Sequence, residues 1–473
     1  MIVNLTHDDI LGISHVNAIG LRKRGSPRCT GVSTDSRTVK QGDLFLAVRG
    51  ELFDGHNFLT KAVESGASGI VVDRRWAESN PVLLSSLDVP KLVVEDTVVA
   101  LGDLARIHRR KFKIPVIVIG GSNGKTTTKD MVTSVLASRY SVLATEGNLN
   151  NHIGVPHTLF RLEKKHRIAV IEIGTNHFGE LDYLCNIIEP THALITTIGH
   201  EHLEFFGSLD GVAKAEGEAF QWLRTNRPRI GMGFINADDQ QIARQAKGLK
   251  RVISYGFGKK ATTVKGTLLG MDASACAEVG VKRRGKKSFS FKLGIPGEHN
   301  ALNALAAATV GLTFNVPVTR IQDSLGAFKG SNKRMQFVEL NGITILNDTY
   351  NSNPDSVTAA LQTVGAAKVA GKKIAVLADM LELGVNAELE HRRIGEMVHK
   401  CGVEYLLTYG PLSNYTHQGA ITKFKAHYDQ KNILSEYLAE LLTKGDIVLI
   451  KGSRGMKMED VVTFLTERFQ QAA

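Results

Sequence analysis

Residues Ile114-Pro115-Val116-Ile117-Val118-Ile119 run directly into Gly120-Gly121-Ser122-Asn123-Gly124-Lys125-Thr126-Thr127-Thr128. A helical pattern follows, with Met131, Val132, Val135 and Leu136 on one side. Strand, glycine-rich turn, Lys-Thr and helix is the order a phosphate-binding loop requires. Glycines let backbone N–H groups close around phosphate oxygens, and the helix N-terminus adds its positive end. Lys125 would reach the terminal phosphates, and Thr126 would give its hydroxyl to a metal ion. The strict spacing G-x-x-x-x-G-K-[ST] needs glycine at 119, where this chain has Ile119, so the loop is one residue tighter, counted from Gly120. The plainer alternative is an ordinary glycine-rich βα turn.

Outward from this stretch, apolar runs alternate with helical patterns. Asp96 to Lys111 carries Val99, Leu101, Leu104 and Ile107 at helical spacing, read as one buried side. Ile168-Ala169-Val170-Ile171 and Ala193-Leu194-Ile195 read as buried strands. The alternation predicts a mostly parallel sheet covered by helices. Before it, short runs such as Asp43-Leu44-Phe45-Leu46-Ala47-Val48 and Ile70-Val71-Val72 suggest a small α/β domain. After Val316-Pro317 a third α/β unit begins, with strands at 343–346, 374–377 and 447–450. At roughly 150 residues per domain, 473 residues make about three domains. The expected division is 1–90, 91–316 and 317–473. The expected class is α/β: a small N-terminal α/β domain, a central P-loop ATPase-type parallel sheet and a C-terminal Rossmann-like α/β domain.

Composition narrows the function classes. With 43% hydrophobic and 22% charged residues the chain can bury ordinary globular cores. No run approaches the length of a membrane span. The start, MIVNLTHDDILGISH, has no basic region and reads as no signal peptide. Four widely spaced cysteines, with no CxxC, make neither a disulfide framework nor a zinc spacing, which points to the cytoplasm. The net charge of +11 is unevenly distributed: residues 1–90 carry 10 basic and 10 acidic side chains, 317–473 carry 18 and 17, and the middle segment carries 30 and 20. The middle segment is therefore the candidate for an anionic partner. Part of its excess is Lys282-Arg283-Arg284-Gly285-Lys286-Lys287, read as a solvated hairpin tip before the alternating strand Ser288–Leu293. No aromatic residue interleaves with that run, which weakens a nucleic-acid reading.

Two further positions carry chemistry. Glu172 ends the apolar strand 168–171, at the sheet edge where ligands gather. A carboxylate within IEIG is costly to bury unless paired or metal-bound, so a metal role is preferred to a plain strand-end carboxylate. His202 follows another strand, in Gly199-His200-Glu201-His202-Leu203-Glu204. A lone histidine is usually structural, and the His-x-His spacing lacks a third zinc ligand, so zinc is not expected. Ser33-Thr34-Asp35-Ser36-Arg37, read alone, is a polar turn able to cap a helix. Its arginine beside hydroxyls also suits a diphosphate.

Taken in order, GGSNGKTTTK (120–129), GNLNNHIGVP (147–156), IEIGTNHFGEL (171–181), HLEFFGS (202–208), GEHNALNALAA (297–307), RMQ (334–336), NDTYNSNPDS (347–356), ADMLELG (378–384) and KGSRGMKME (451–459) resemble the Mur ligase family, the ATP-dependent amide-forming enzymes of peptidoglycan synthesis. The resemblance covers nearly the whole chain, and the tightened phosphate loop is the family's own version. DTYNSNP and DMLELG look like the member that adds D-alanyl-D-alanine to UDP-N-acetylmuramoyl-tripeptide.

The resemblance implies ATP and Mg2+ as cofactors. Gly121, Ser122, Asn123, Gly124, Lys125, Thr126 and Thr127 would hold the triphosphate, and Asn300 and Asn303 the adenine. Arg334 would meet the phosphates and Asp348 the nucleotide. Thr126, Glu172 and His202 would hold the metal, with Lys125, Glu172 and His202 as the catalytic group. Ser33, Asp35, Ser36 and Arg37 would bind the UDP end of the substrate. Asn351 and Asn353 would face the dipeptide, and Lys451, Ser453 and Arg454 would contact substrate. Plainer readings stand beside these: Asn300 as a helix cap, Asn351 and Asn353 as turn residues before Pro354. Several members carry a carbamylated lysine where this chain has Glu216, two residues after Lys214. Glu216 would either supply a carboxylate to a second metal directly or lie exposed on its helix.

The implied reaction activates the tripeptide carboxylate as an acyl phosphate, and the dipeptide amine attacks it. The expected partners are the UDP-linked tripeptide and D-alanyl-D-alanine, with no nucleic acid and no membrane span, and the chain is expected to be monomeric. The rival readings are another Mur-type ligase adding the third residue, a folylpolyglutamate-type synthetase, a nucleic-acid-linked P-loop ATPase and a non-catalytic nucleotide switch.

Overall fold

The computed structural model describes residues 5–21, 29–50, 53–258, 263–330 and 333–471. Residues 1–4 of the start read as lacking a signal peptide lie outside these. Among the described residues no helix is long and apolar enough to cross a membrane.

There are three sheets. The first comprises β1 (Asn17–Ile19), β2 (Gly31–Ser33), β3 (Asp43–Leu46), β4 (Gly69–Asp73) and β5 (Lys91–Val94), in the order β1-β5-β4-β3-β2 and parallel except at β1. The second comprises β6 (Val116–Gly120), β7 (Val142–Ala144), β8 (Ile168–Glu172), β9 (His192–Ile195), β10 (Met232–Asn236), β11 (Arg251–Gly256), β12 (Val264–Met271), β13 (Cys276–Arg283) and β14 (Phe289–Pro296), in the order β14-β13-β12-β11-β10-β9-β6-β8-β7. The third comprises β15 (Gln336–Leu340), β16 (Ile343–Asp348), β17 (Lys373–Ala378), β18 (Tyr405–Tyr409), β19 (Phe424–Tyr428) and β20 (Ile447–Lys451), in the order β15-β16-β20-β17-β18-β19. The chain divides into two compact units, one of residues 1–118, 141–174 and 180–191, the other of 119–140, 175–179 and 192–473.

In the first unit, helix α1 (Thr97–Arg110) starts where the Asp96 carboxylate accepts the N–H groups of Val98 and Val99. Such a side-chain acceptor satisfies donors that the first helical turn leaves open. Ala100, Leu101, Leu104, Ala105 and His108 form its buried face. Val99 is 41% exposed, against the expectation that it lies on that side. Two residues along a helix turn about 200°, so Val99 points away from Leu101.

The second unit holds α2 (Lys125–Ala137), α3 (Leu209–Asn226), α4 (Glu298–Thr313) and α5 (Pro354–Ala366). Here β9, β10, β11 and β12 pair in parallel, and β12, β13 and β14 continue as an antiparallel meander. The basic run at 282–287 spans the end of β13 and the turn before β14, with Gly285 at φ 73° supplying the left-handed residue. Helix Val318–Gly326 stays with this sheet, since Gln322 Nε2 donates to Ser290 O at 2.7 Å. In the third sheet the inner strands are apolar on both faces. Leu346, Leu377, Leu406 and Leu449 pack with α5 residues Val357, Leu361 and Val364, while Ile345, Val376, Leu407 and Val448 pack on the other side. Burial on both faces explains the unbroken apolar runs of the sequence.

Candidate active site

The phosphate loop leaves β6 at Gly120 and enters α2 at Lys125. Gly121 (φ 116°) and Gly124 (φ 79°) adopt backbone conformations that side chains disfavour. A Cβ at Gly121 would lie 2.3 Å from Thr196 Oγ1, and one at Gly124 would lie 2.8 Å from Asn303 Oδ1. The loop is fastened to the segment after β9: Ser122 N donates to Thr197 O at 2.8 Å, Gly199 N to Ser122 Oγ at 2.8 Å, and Thr196 Oγ1 to Asn123 O at 2.5 Å. Lys125 folds back, its Nζ donating to Gly121 O at 2.5 Å and lying 3.3 Å from Glu201 Oε2. Thr126 is buried in the first turn of α2, and Thr127 is half-buried.

Glu216 settles one open alternative. It is wholly buried on α3, not exposed. Its Oε2 accepts the Gly121 N–H at 2.6 Å, and its Oε1 is buried with no hydrogen-bond partner. Burial pushes its pKa up to about 8 against the opposing charge of Lys125. Lys214 places its ammonium 5.5 Å from the Phe178 ring centroid.

His202 (φ 48°) precedes a short helix, and its Nδ1 lies 2.8 Å from Glu382 Oε2, in ion-pair range but off hydrogen-bond alignment. That contact holds the Glu382 carboxyl below its ordinary pKa. His202 Nε2 is 4.0 Å from Glu201 Oε2.

Glu172 lies in the first unit, as the last residue of β8 and 2% exposed. Its N–H donates to Thr145 Oγ1 at 3.0 Å, and Oε1 accepts Asn150 Nδ2 at 2.8 Å. Oε2 is buried without a partner. In the same unit, Ser33–Arg37 forms a turn and caps no helix. Arg37 grips Asp35 through Nε–Oδ1 (2.9 Å) and Nη2–Oδ2 (2.7 Å), which lowers the Asp35 pKa to about 2. Ser33 Oγ donates to Asp35 O at 3.0 Å, Ser36 is buried, and Thr34 Oγ1 is 3.0 Å from His157 Nε2.

Asn300 does not cap its helix. Gly297 holds that position, and Asn300 sits inside α4 with Nδ2 donating to Pro296 O at 2.6 Å. Asn303 Nδ2 donates to Asn300 Oδ1 at 3.1 Å, a buried amide pair reaching Gly124.

Asp348 and Lys451 end neighbouring strands in register, and Lys451 Nζ meets Asp348 Oδ2 at 2.6 Å and Asn351 O at 2.8 Å. Ser453 Oγ accepts the Leu381 N–H at 2.8 Å. The Arg334 guanidinium lies 3.7 Å from the Tyr350 ring centroid. Asn351 Oδ1 accepts the Arg454 N–H at 3.4 Å. Asn353 caps α5 by accepting the Ser356 N–H at 2.8 Å, and its Nδ2 donates to Asn123 Oδ1 of the phosphate loop at 3.0 Å. Asp355 Oδ2 accepts the His200 N–H at 2.8 Å.

Sequence reasoning missed Glu201, Glu382, Asp355, Asn150 and His157. Glu201 stands in the quoted GHEHLE and Asn150 in GNLNNHIGVP, so the polar clusters were visible, but their targets were not. Among the described residues no group of three or more His, Cys, Asp or Glu is placed to hold a metal ion. The unpartnered buried oxygens of Glu172 and Glu216 suit a hard divalent cation individually. Mg2+ usually keeps water and phosphate ligands, so one or two carboxylates fit it without an all-protein cage.

Residues 28–109 match the family model "Mur ligase family, catalytic domain", 119–311 the "Mur ligase middle domain" and 333–454 the "Mur ligase, glutamate ligase domain". A UDP-N-acetylmuramoyl-tripeptide–D-alanyl-D-alanine ligase of Bacillus subtilis (strain 168) is 34% identical over 443 residues, covering 92% of this chain and 93% of its own. One of the same name from Haemophilus influenzae is 35% identical over 453 residues, covering 93% and 94%. A crystal structure of MurF from Acinetobacter baumannii superposes with TM-score 0.89 at 30% identity, covering 98% and 99%. A MurF ligase from Thermotoga maritima in complex with ADP has TM-score 0.81 at 26% identity, covering 93% and 98%. The chain belongs to the Mur ligase family.

Proposed function

We propose that the chain joins D-alanyl-D-alanine to UDP-N-acetylmuramoyl-tripeptide with ATP, giving the UDP-linked pentapeptide, ADP and phosphate. Similarity to ligases of that name over more than nine-tenths of the chain carries this reading. The phosphate loop supports it by supplying the triphosphate site the reaction needs.

The chemistry begins with two anions. A tripeptide carboxylate oxygen attacks the γ-phosphorus in line, the bond to the bridging oxygen breaks, and ADP leaves. The loop N–H groups, the N-terminus of α2 and Lys125 offset the repulsion and the spreading charge. Lys125 must first leave Gly121 O and Glu201 to reach phosphate. A bound Mg2+ would neutralise phosphate charge, with Thr126, Glu172, His202 and Glu216 as the groups that would hold it. The neutral dipeptide amine then attacks the acyl carbon. The tetrahedral species expels phosphate with the C–O electron pair, and the new amide nitrogen sheds its proton. Water would destroy the acyl phosphate, so the site must close. Asn353 on Asn123 and Asp355 on His200 place the third sheet's loops against the phosphate loop, as such closure requires.

In this reading Ser33, Asp35, Ser36 and Arg37 receive the UDP end, and Asn351 and Asn353 face the dipeptide. Gly121 to Thr127, Asn300, Asn303, Arg334 and Asp348 serve the nucleotide. The three domains expected at 1–90, 91–316 and 317–473 shift at their edges, since β5 (Lys91–Val94) pairs in the first sheet and helix Val318–Gly326 stays with the second, and the protein works as a cytoplasmic monomer. The test is ADP release from purified protein with UDP-N-acetylmuramoyl-tripeptide, with and without D-alanyl-D-alanine, and detection of the pentapeptide by mass. ADP release without the dipeptide-dependent mass gain would overturn the reading.

A further inference from the structure

His202 and Glu382 come from turns beside two different sheets, and both hold strained backbone. His202 follows β9 with φ 48°, and Glu382 follows β17 with φ 66°. Residues with side chains rarely enter that left-handed region. Both turns are pinned. The Met380 N–H donates to His391 Nε2 at 3.0 Å and the Leu381 N–H to Ser453 Oγ at 2.8 Å, while Met380 and Leu383 join the core that α5 covers. Opposite, the His202 carbonyl accepts the Phe205 and Phe206 N–H groups at 2.9 and 3.0 Å, and the buried Phe206 ring stands edge-on to the imidazole. Gly384 passes so close that a Cβ on it would lie 3.5 Å from the Glu204 Cα. Held this way, Glu382 Oε2 lies 2.8 Å from the buried Nδ1 of His202. The Glu382 side chain is 53% exposed, where an ion pair adds little stability. Two left-handed residues cost more than that contact contributes, so stability does not explain the pairing.

The other ring nitrogen is turned toward the phosphate loop. His202 Nε2 is 4.0 Å from Glu201 Oε2, and the same oxygen is 3.3 Å from Lys125 Nζ. A carboxylate beside Nδ1 keeps the ring proton on that nitrogen and leaves the Nε2 lone pair free for a cation. The contact is out of hydrogen-bond line, so the carboxylate acts through its charge. We infer that Glu382 is a positioning residue, which sets the tautomer and tilt of His202 so that Nε2 is offered to the metal ion accompanying the nucleotide. This rests on the function proposed above and on His202 as a group that would hold the metal. Because the orienting carboxylate belongs to the third sheet and the imidazole to the second, His202 is set only while the turn after β17 is docked. Closure of the site and completion of its metal-holding set thereby become one event.

The test titrates Mn2+, standing for Mg2+, into the full-length chain with a non-hydrolysable ATP analogue, and reads the free ion by its EPR signal. Glu382→Asn should weaken Mn2+ binding by about 10- to 100-fold, as loss of a group that orients a metal ligand does. Its urea midpoint should stay level with wild type or rise, since asparagine tolerates left-handed backbone better than glutamate. Glu382→Asp has the size of Glu382→Asn but keeps the charge, and should recover much of the affinity. His202→Ala should weaken binding as well, and adding Glu382→Asn to it should change nothing further, because the carboxylate then has no ring to position. In turnover, Glu382→Asn should lower kcat and leave KM for the UDP-linked tripeptide unchanged. Mn2+ affinity within about twofold of wild type for Glu382→Asn, equal affinity for Glu382→Asn and Glu382→Asp, or losses that add in the double variant would each overturn the inference. Absence of pentapeptide with wild type would instead sink the proposed function, since Mn2+ binding is read without turnover.

Discussion

Gly121 donates its backbone N–H to Glu216 Oε2 across 2.6 Å, so a buried carboxylate on α3 sets the first turn of the phosphate loop. Its other oxygen is buried and unpartnered, which suits a cation arriving with the nucleotide. The two oxygens separate into two roles that substitutions can distinguish. Glu216→Ala leaves a buried N–H without its acceptor, and stability should fall by about 1–3 kcal/mol. Glu216→Gln keeps an acceptor for Gly121 but cannot shed a proton to face a cation, as the raised carboxyl of Glu216 would on binding Mg2+. It should unfold closer to wild type in urea, yet need several-fold more Mg2+ for half-maximal activity. Equal Mg2+ dependence for Glu216→Gln and wild type would confine Glu216 to holding the loop.

Glu172 presents the same pattern in the other unit: one oxygen taken by Asn150 at 2.8 Å, the other bare and buried. Glu172→Ala should abolish pentapeptide formation while leaving the affinity for the UDP-linked tripeptide, measured by calorimetry, within about twofold. Asn150→Ala frees the carboxylate to rotate and should cost activity less than loss of the carboxylate itself. Near-wild-type turnover by Glu172→Ala would remove the residue from the metal set.

The pair Lys451–Asp348 ties two strand ends of the third sheet inside a buried site. Removing one member leaves an uncompensated charge, typically a loss of about 3–5 kcal/mol. Lys451→Met should therefore destabilise strongly in denaturant titrations. The double replacement Lys451→Met with Asp348→Leu should recover much of that stability without recovering ligase activity. Additive losses would mean that the two charges do not depend on each other.

Much of this architecture was legible because apolar periodicity and glycine placement are local signals. The run 114–128 announced strand, loop and helix in one reading, and the alternation of Ser288–Leu293 announced β14. What escaped is the long-range pairing. Nothing local tells that Glu216, 95 positions from Gly121, turns inward to meet it, or that Asn353 both caps its helix and reaches Asn123, 230 positions away. Val99 failed for a different reason: its spacing was read as apolar recurrence without the 200° turn that separates it from Leu101. Asn300 resembled a cap because a polar residue precedes an alanine-rich helix, but Gly297 starts that helix a turn earlier and leaves the amide buried.

Folding stability should also depend on pH through His192. Its ring lies between Phe234 and Phe314, with centroids 5.9 Å and 5.1 Å away, and burial pushes its pKa down to about 4, with Arg251 adding to the shift. Unfolded histidine titrates near 6.5, so between about pH 6.5 and 4 the unfolded chain binds protons that the folded chain refuses. The stability carried by the neutral His192 ring is complete above pH 6.5 and is lost as pH falls toward 4, at most about 3 kcal/mol. Urea midpoints should therefore drop between pH 7 and pH 4.5, before most carboxylates protonate. His192→Phe keeps an aromatic ring between the two phenylalanines but cannot take up a proton in either state. Its midpoints should follow a shallower slope over this window, whatever their absolute level. A slope equal to that of wild type would show that His192 titrates alike in the folded and unfolded chains.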